Sequence, residues 1–156
     1  MKKYVLSAAV VLAASQQALA GATNTQLKCQ SGNGKVELSG HVPGDFAEFH
    51  LTATVKGNNG TEKIELLSEV DQESRQLVRN ARLTIIEDLE NRVYALQAED
   101  LHEENIGLIR LYAIPKTVKV TKSGLTTRSS FQAKLSVSSE NGGAEEVVSC
   151  TTIYEL

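Results

Sequence analysis

The chain has 156 residues, a formal net charge of −3 at pH 7, 4% aromatic residues and no tryptophan. An acidic balance argues against nucleic acid and anionic membrane surfaces as main partners, because both repel negative charge. The length is sufficient for one domain with its own hydrophobic core, so folding needs neither a metal nor a dense set of disulfides.

The N-terminal segment predicts a cleavable secretory signal. Lys2 and Lys3 form a short positive start, and an almost entirely apolar run follows over residues 5–14. Residues 18–20 read Ala-Leu-Ala, which matches the small-x-small rule for a cut after Ala20. The apolar run has about ten residues, whereas a membrane span needs roughly 20. Residues 1–20 are therefore expected to be a signal peptide.

Removal of this signal would leave a single β-rich domain over residues 21–156. No second apolar stretch is long enough to span a membrane as a helix. The scarcity of aromatic residues also argues against an outer-membrane barrel, which needs aromatic girdles at both interfaces. We therefore expect a periplasmic or secreted protein with no membrane span.

Two cysteines, Cys29 and Cys150, lie near the two ends of the predicted domain. Neither has a histidine close in sequence, and they do not form a Cys-x-x-Cys motif, so the spacing does not favour a metal site or a reactive thiol. In an oxidising compartment two such cysteines predict one disulfide between the first strand and the last.

The mature chain shows the two-residue alternation of β-strands. Phe49, Leu51 and Ala53 alternate with polar residues, and Asn58-Asn59-Gly60 then predicts a hairpin turn. Pro115 should end or offset a strand. The predicted strands cover residues 26–30, 35–39, 48–56, 63–70, 81–87, 92–98, 106–114, 117–121, 131–138 and 146–154.

This spacing is typical of an all-β fold, either an antiparallel sandwich or a small closed barrel of about eight or nine strands. Residues 71–80 are the ambiguous segment, because they could form one short helix or a polar connection. His41 is expected in a bend over residues 40–44, and His50 on the outward face of its strand.

Candidate ligand or metal contacts are few. Glu99, Asp100, His102 and Glu103 form the densest polar cluster, but they lack both calcium-loop spacing and the paired histidines of a zinc helix. A solvated acidic turn is the simpler interpretation. Arg110 interrupts an apolar run, and alternation places it with Leu108 and Tyr112 on the wetter face. A ligand-facing Arg110 is the alternative.

No motif in the sequence indicates a catalytic residue, a cofactor or a protein family. The leading hypothesis is an exported, non-catalytic binding module that contacts or inhibits another envelope or secreted protein, with recognition carried by polar loops such as residues 71–80 and 99–105. The alternative is a small-molecule carrier with an apolar cavity inside a β-barrel. A third hypothesis, an enzyme built from dispersed residues, finds no motif to support it.

Overall fold

One antiparallel sheet contains every strand of the described structure. This structure is a computed structural model, and it describes residues 24–42, 48–71, 73–102 and 107–155. The predicted signal lies outside these ranges and stays a prediction. Within them, no helix is both long and apolar enough to cross a membrane. The strands are β1 (Asn24–Ser31), β2 (Val36–Val42), β3 (Phe49–Gly57), β4 (Gly60–Val70), β5 (Leu77–Arg79), β6 (Ala81–Asp88), β7 (Val93–Asp100), β8 (Leu108–Ala113), β9 (Lys119–Ser123), β10 (Thr126–Ser139) and β11 (Gly142–Glu155).

The strand order across the sheet is β5-β4-β3-β2-β1-β11-β10-β8-β7-β6, and β9 pairs with β10 beyond the end of β8. The sheet is strongly curled and forms a half-barrel, so the predicted all-β antiparallel class is confirmed. The described residues contain eleven strands. The number exceeds the predicted eight or nine. β9 corresponds to the predicted strand at residues 117–121, whereas β5 lies in the ambiguous segment and was not predicted.

The concave face of the curled sheet forms the core. Side chains alternate between the two faces of each strand, and the predicted alternation is confirmed in β3, where Phe49, Leu51 and Ala53 are buried. Fully burying one leucine stabilises the fold by about 1.5–3 kcal/mol. The largest fully buried side chains include Tyr94, Leu27, Leu38, Leu51, Leu66, Leu96, Ile109, Leu111 and Leu135.

The predicted disulfide between Cys29 and Cys150 is present and joins β1 to β11. The two cysteines are partners in the ladder between these neighbouring strands, with Cα atoms 4.1 Å apart. Both side chains lie in the core. The bond links positions 121 residues apart and so ties the first described strand to the last.

The ambiguous segment, residues 71–80, contains no helix among its described residues. The Asp71 carboxylate accepts hydrogen bonds from the backbone N–H groups of Ser74, at 2.6 Å, and Glu73, at 3.2 Å. These bonds lower the pKa of Asp71, with Ser74 as the largest cause. Asp71 therefore closes a turn rather than capping a helix, and β5 follows it.

Asn80 joins the two ends of the curled sheet. Its backbone N–H donates to the Leu67 carbonyl at 3.1 Å, and its side-chain oxygen accepts from the Leu67 N–H at 2.7 Å. Its side-chain nitrogen donates to the Glu65 carbonyl at 3.0 Å, and its own carbonyl accepts from the Leu101 N–H at 2.8 Å. Asn80 thus links β4 to the end of β7.

The hairpin predicted at Asn58-Asn59-Gly60 is confirmed. Gly57 pairs with Gly60, so Asn58 and Asn59 form the two-residue loop. The positive φ, 129°, occurs at Gly60, and neither asparagine has one. Gly142, with φ 124°, follows the β10–β11 loop in the same way. Glycine is favoured at these positions because it adopts positive φ without a Cβ clash.

Pro115 ends β8, as the sequence predicts. A 3₁₀ turn over Pro115–Thr117 separates β8 from β9, and both strands lie along β10. The Thr117 hydroxyl donates to the Ile114 carbonyl at 2.7 Å and accepts from the Gln132 N–H at 2.9 Å. The hydroxyl thereby replaces ladder hydrogen bonds that the interrupted strand does not make.

Candidate functional site

The outer face of the sheet carries a row of side chains that crosses five neighbouring strands. Ile86 of β6 pairs with Ala95 of β7, and Ala95 pairs with Tyr112 of β8. Tyr112 pairs with Lys134 of β10, which pairs in turn with Val147 of β11. Residues paired in adjacent ladders stand side by side on one face. We call these five residues the outer stripe.

The outer stripe exposes apolar side chains where the alternation leads one to expect polar ones. The exposed fractions are 58% for Ile86, 48% for Tyr112 and 52% for Val147. The Lys134 side chain is exposed as well, and the aliphatic part of a lysine extends an apolar surface. Single exposed apolar residues are ordinary on a protein surface, whereas here three of them lie in one row of the sheet.

Charged groups border the outer stripe. Arg110 lies two residues from Tyr112 on the same face, and its Nε donates to the Gln97 side chain at 3.3 Å. Asn91 donates to the Asp88 carboxylate from its side chain at 2.8 Å and from its backbone at 3.1 Å, and these bonds lower the pKa of Asp88. Charged and polar groups of β6, β7 and β8 therefore flank the row.

A polar groove of about 370 Å³ lies beside the outer stripe, on the outer face of β11, β1, β2 and β3. The two surfaces adjoin on β11, where Val147 belongs to the stripe and Ser149 to the groove. Glu37 in the groove accepts hydrogen bonds from Gln30 at 3.2 Å and Lys56 at 3.3 Å. The groove is lined by Lys28, Cys29, Gln30, Glu37, Leu38, Ser39, Thr52, Thr54, Ser149 and Thr151.

The acidic cluster predicted from sequence is divided between the two faces of β7. Glu99 lies on the outer face with an ion pair to Arg82 at 3.5 Å, whereas Asp100 is half-buried on the inner face. The Asp100 carboxylate accepts a hydrogen bond from the backbone N–H of His102 at 2.8 Å. The His102 side chain is exposed. Glu103 lies outside the described residues. The described part of the chain holds no group of three metal-ligating side chains.

The remaining sequence-predicted positions are on the outer face. Arg110 is exposed while its neighbours Ile109 and Leu111 are buried, so the predicted assignment to the wetter face is confirmed. His50 is exposed, as predicted, and its Nε2 lies 3.9 Å from a Glu65 carboxylate oxygen. The prediction for His41 is wrong, because His41 lies within β2 and pairs with His50 across the ladder.

Sequence reasoning did not identify the outer stripe. Tyr112 carried a usable signal, since it is one of only four tyrosines in the chain and alternation places it on the exposed face beside Arg110. No sequence signal marked Ile86 and Val147. They lie in the same row as Tyr112 only because of the order of strands that are distant in sequence.

Comparison of the chain with known protein families, curated proteins and solved structures found no match. The case for a function therefore depends on the geometry of the surfaces described above.

Proposed function

We propose that this chain is an exported, non-catalytic binding protein that contacts a second protein of the cell envelope or of the surrounding medium. The observation that carries the proposal is the outer stripe, a row across five strands in which Ile86, Tyr112 and Val147 are exposed apolar side chains. Covering Ile86, Tyr112 and Val147 with a partner would remove apolar area from water. Tyrosine is also among the residues that contribute most to protein interfaces.

Export is the second part of the proposal. It rests on the predicted signal over residues 1–20 and on the disulfide between Cys29 and Cys150, because such bonds persist mainly in oxidising compartments. The periplasm and the extracellular medium both meet this condition.

The small-molecule carrier is the alternative that an all-β fold also allows. A carrier with an apolar cavity needs open space on the concave face, where large side chains such as Leu38, Leu96 and Leu111 are fully buried. The groove beside the outer stripe lies on the opposite face and has polar walls. Geometry therefore favours a protein partner over an apolar ligand.

The proposal predicts that a triple variant, Ile86→Thr with Tyr112→Thr and Val147→Thr, loses its partner while the fold is kept. Threonine preserves β-propensity, and all three side chains are exposed, so the thermal unfolding temperature should change little. Loss of a central aromatic contact typically weakens binding by about 30-fold or more. The measurement is affinity capture from envelope and culture extracts with identification by mass spectrometry.

Leu125→Thr is the matched control, because Leu125 is 69% exposed but lies in the β9–β10 turn, away from the outer stripe. The wild type and this control should capture the same protein, and the triple variant should not. Equal recovery by the triple variant would refute the role of the stripe, and recovery of no specific protein by the wild type would refute the proposed function.

A further inference from the structure

The strand β6 is the last strand at one end of the sheet, and its only ladder among the described strands is with β7. The hydrogen bonds of β7 show which residues of β6 point away from that ladder. The Asp100 N–H donates to the Gly107 carbonyl at 2.8 Å, on the side of β7 that faces β8. Asp100 therefore does not bond its ladder partner Ala81. Because bonded and non-bonded pairs alternate along an antiparallel ladder, every second residue of β6 from Ala81 onward directs its backbone groups away from β7.

The backbone N–H and C=O groups of Leu83, Ile85 and Glu87 form an open edge. No backbone hydrogen bond between described residues involves them outside the ladder to β7. Before them, the Ala81 carbonyl accepts a hydrogen bond from the Arg79 Nε at 2.9 Å, so the open part begins at Leu83. A run of unpaired backbone groups on an edge strand is a template for pairing with another chain.

The strand β6 lacks the features that keep other edge strands from pairing. Its central residues 83–86 contain no charge, no proline and no glycine. By contrast, β5 at the other end of the sheet has only three residues, and β9 carries Lys119 and Lys122 among its five exposed residues. Short edge strands and edge lysines discourage pairing between chains, so β6 is the edge that remains available.

We propose that two copies of this chain pair antiparallel along β6, about a two-fold axis at Ile85. Leu83 of each copy would exchange backbone hydrogen bonds with Glu87 of the other, and the two Ile85 residues would exchange bonds with each other. On the outer face, Arg82 of each copy would stand opposite Asp88 of the other, and no like charges would be opposed. The two-fold axis produces each contact twice, so the edge is self-complementary.

The charges of β6 select this register. Backbone groups that point to the open edge can bond only groups that do the same, so the axis must lie at a residue and not between two residues. Ile85 is the position that brings Arg82, the only cation of the strand, opposite an acid of the strand, Asp88. Arg82 also pairs with Glu99 at 3.5 Å, and exposed ion pairs contribute little free energy. The charges therefore fix the register, while the backbone hydrogen bonds hold the two strands together.

Backbone amide hydrogen exchange tests the pairing without any substitution. It would be measured by NMR on the mature, oxidised protein at low and high protein concentration, with the dimer fraction taken from sedimentation equilibrium. The amides of Leu83, Ile85 and Glu87 should exchange more slowly as the dimer fraction rises, because each becomes a hydrogen-bond donor. The amides of β9, the edge with two lysines, should not change. A monomer at every concentration, or a dimer that protects another strand instead, would overturn the proposal.

A charge swap tests the register. Arg82→Asp should weaken the dimer by about 10-fold, because two like-charged pairs would replace two opposite ones, and Asp88→Arg should do the same. The double variant Arg82→Asp with Asp88→Arg should recover the dimer. Lys35→Asp, in the exposed β1–β2 turn, is the matched control and should dimerise like the wild type. Unchanged dimerisation of Arg82→Asp, or no recovery in the double variant, would refute the register.

This dimer goes beyond the proposed function and does not rest on it. The triple threonine variant of the outer stripe should dimerise like the wild type, because Ile86 directs its backbone groups to β7 and threonine preserves β-propensity. Partner capture and dimerisation can therefore fail independently.

Discussion

Replacing Cys29 and Cys150 together by alanine should lower the free energy of unfolding by about 4–5 kcal/mol, the largest effect that we expect from any change considered for this chain. The bond links positions 121 residues apart, so it removes much of the conformational freedom of the unfolded chain. The folded state should change little, because β1 and β11 remain paired along their ladder.

Urea unfolding of the oxidised wild type and the double-alanine variant measures this loss. Alanine is preferred to serine, since both cysteines lie in the core and a hydroxyl there would need a partner. The wild type with reductant should unfold near the variant, and reductant should not affect the variant. A difference below about 1 kcal/mol between oxidised wild type and variant would contradict the chain-entropy account.

Gly40→Ala should destabilise the fold by about 3 kcal/mol, or prevent folding, because a Cβ at this position has no room. It would lie 2.4 Å from the His50 carbonyl oxygen, 2.5 Å from Leu51 Cδ2 and 3.1 Å from Leu51 Cα. Two of these three atoms belong to the β3 backbone, so relief requires β2 and β3 to separate. β2 lies between β3 and β1 in the interior of the sheet, so a separation of β2 from β3 would disrupt the sheet itself.

Gly32→Ala is the matched control for Gly40→Ala. Gly32 lies in the β1–β2 turn, and an added Cβ there would meet no atom within 4 Å. Thermal unfolding of both variants should show a large loss for Gly40→Ala and little change for Gly32→Ala. Similar stability of the two variants would mean that β2 and β3 are not as close as the structure places them.

The sequence predicted features that depend on neighbouring residues. Alternation in β3 and β10 is visible over a few positions, because successive side chains of a strand point to opposite faces. The disulfide was also predictable, since only two cysteines are present and they offer a single intramolecular pairing. The turn at Asn58-Asn59-Gly60 was found in the right place, although its positive φ occurs at the glycine.

Features that depend on strand order could not be predicted. Ile86, Tyr112 and Val147 form one surface only because β6, β7, β8, β10 and β11 are successive neighbours in the sheet. The sequence pattern places Asn80 in a loop. Its side chain nevertheless makes hydrogen bonds to the β4 backbone of the kind that a neighbouring strand would make. Gly40 was expected in a bend, because glycine is common in turns. Its close approach to the His50 carbonyl depends on the pairing of β2 with β3, which a local sequence pattern does not show.

Site-specific photocrosslinking in cells that export the protein tests the central claim most directly. A benzophenone amino acid would replace Tyr112 at the centre of the outer stripe, and the same group at Leu125 would serve as the control. The account predicts a crosslinked adduct with one partner protein from position 112 and none from position 125. No adduct from position 112, or equal adducts from both positions, would contradict the assignment of the stripe as the partner-binding surface.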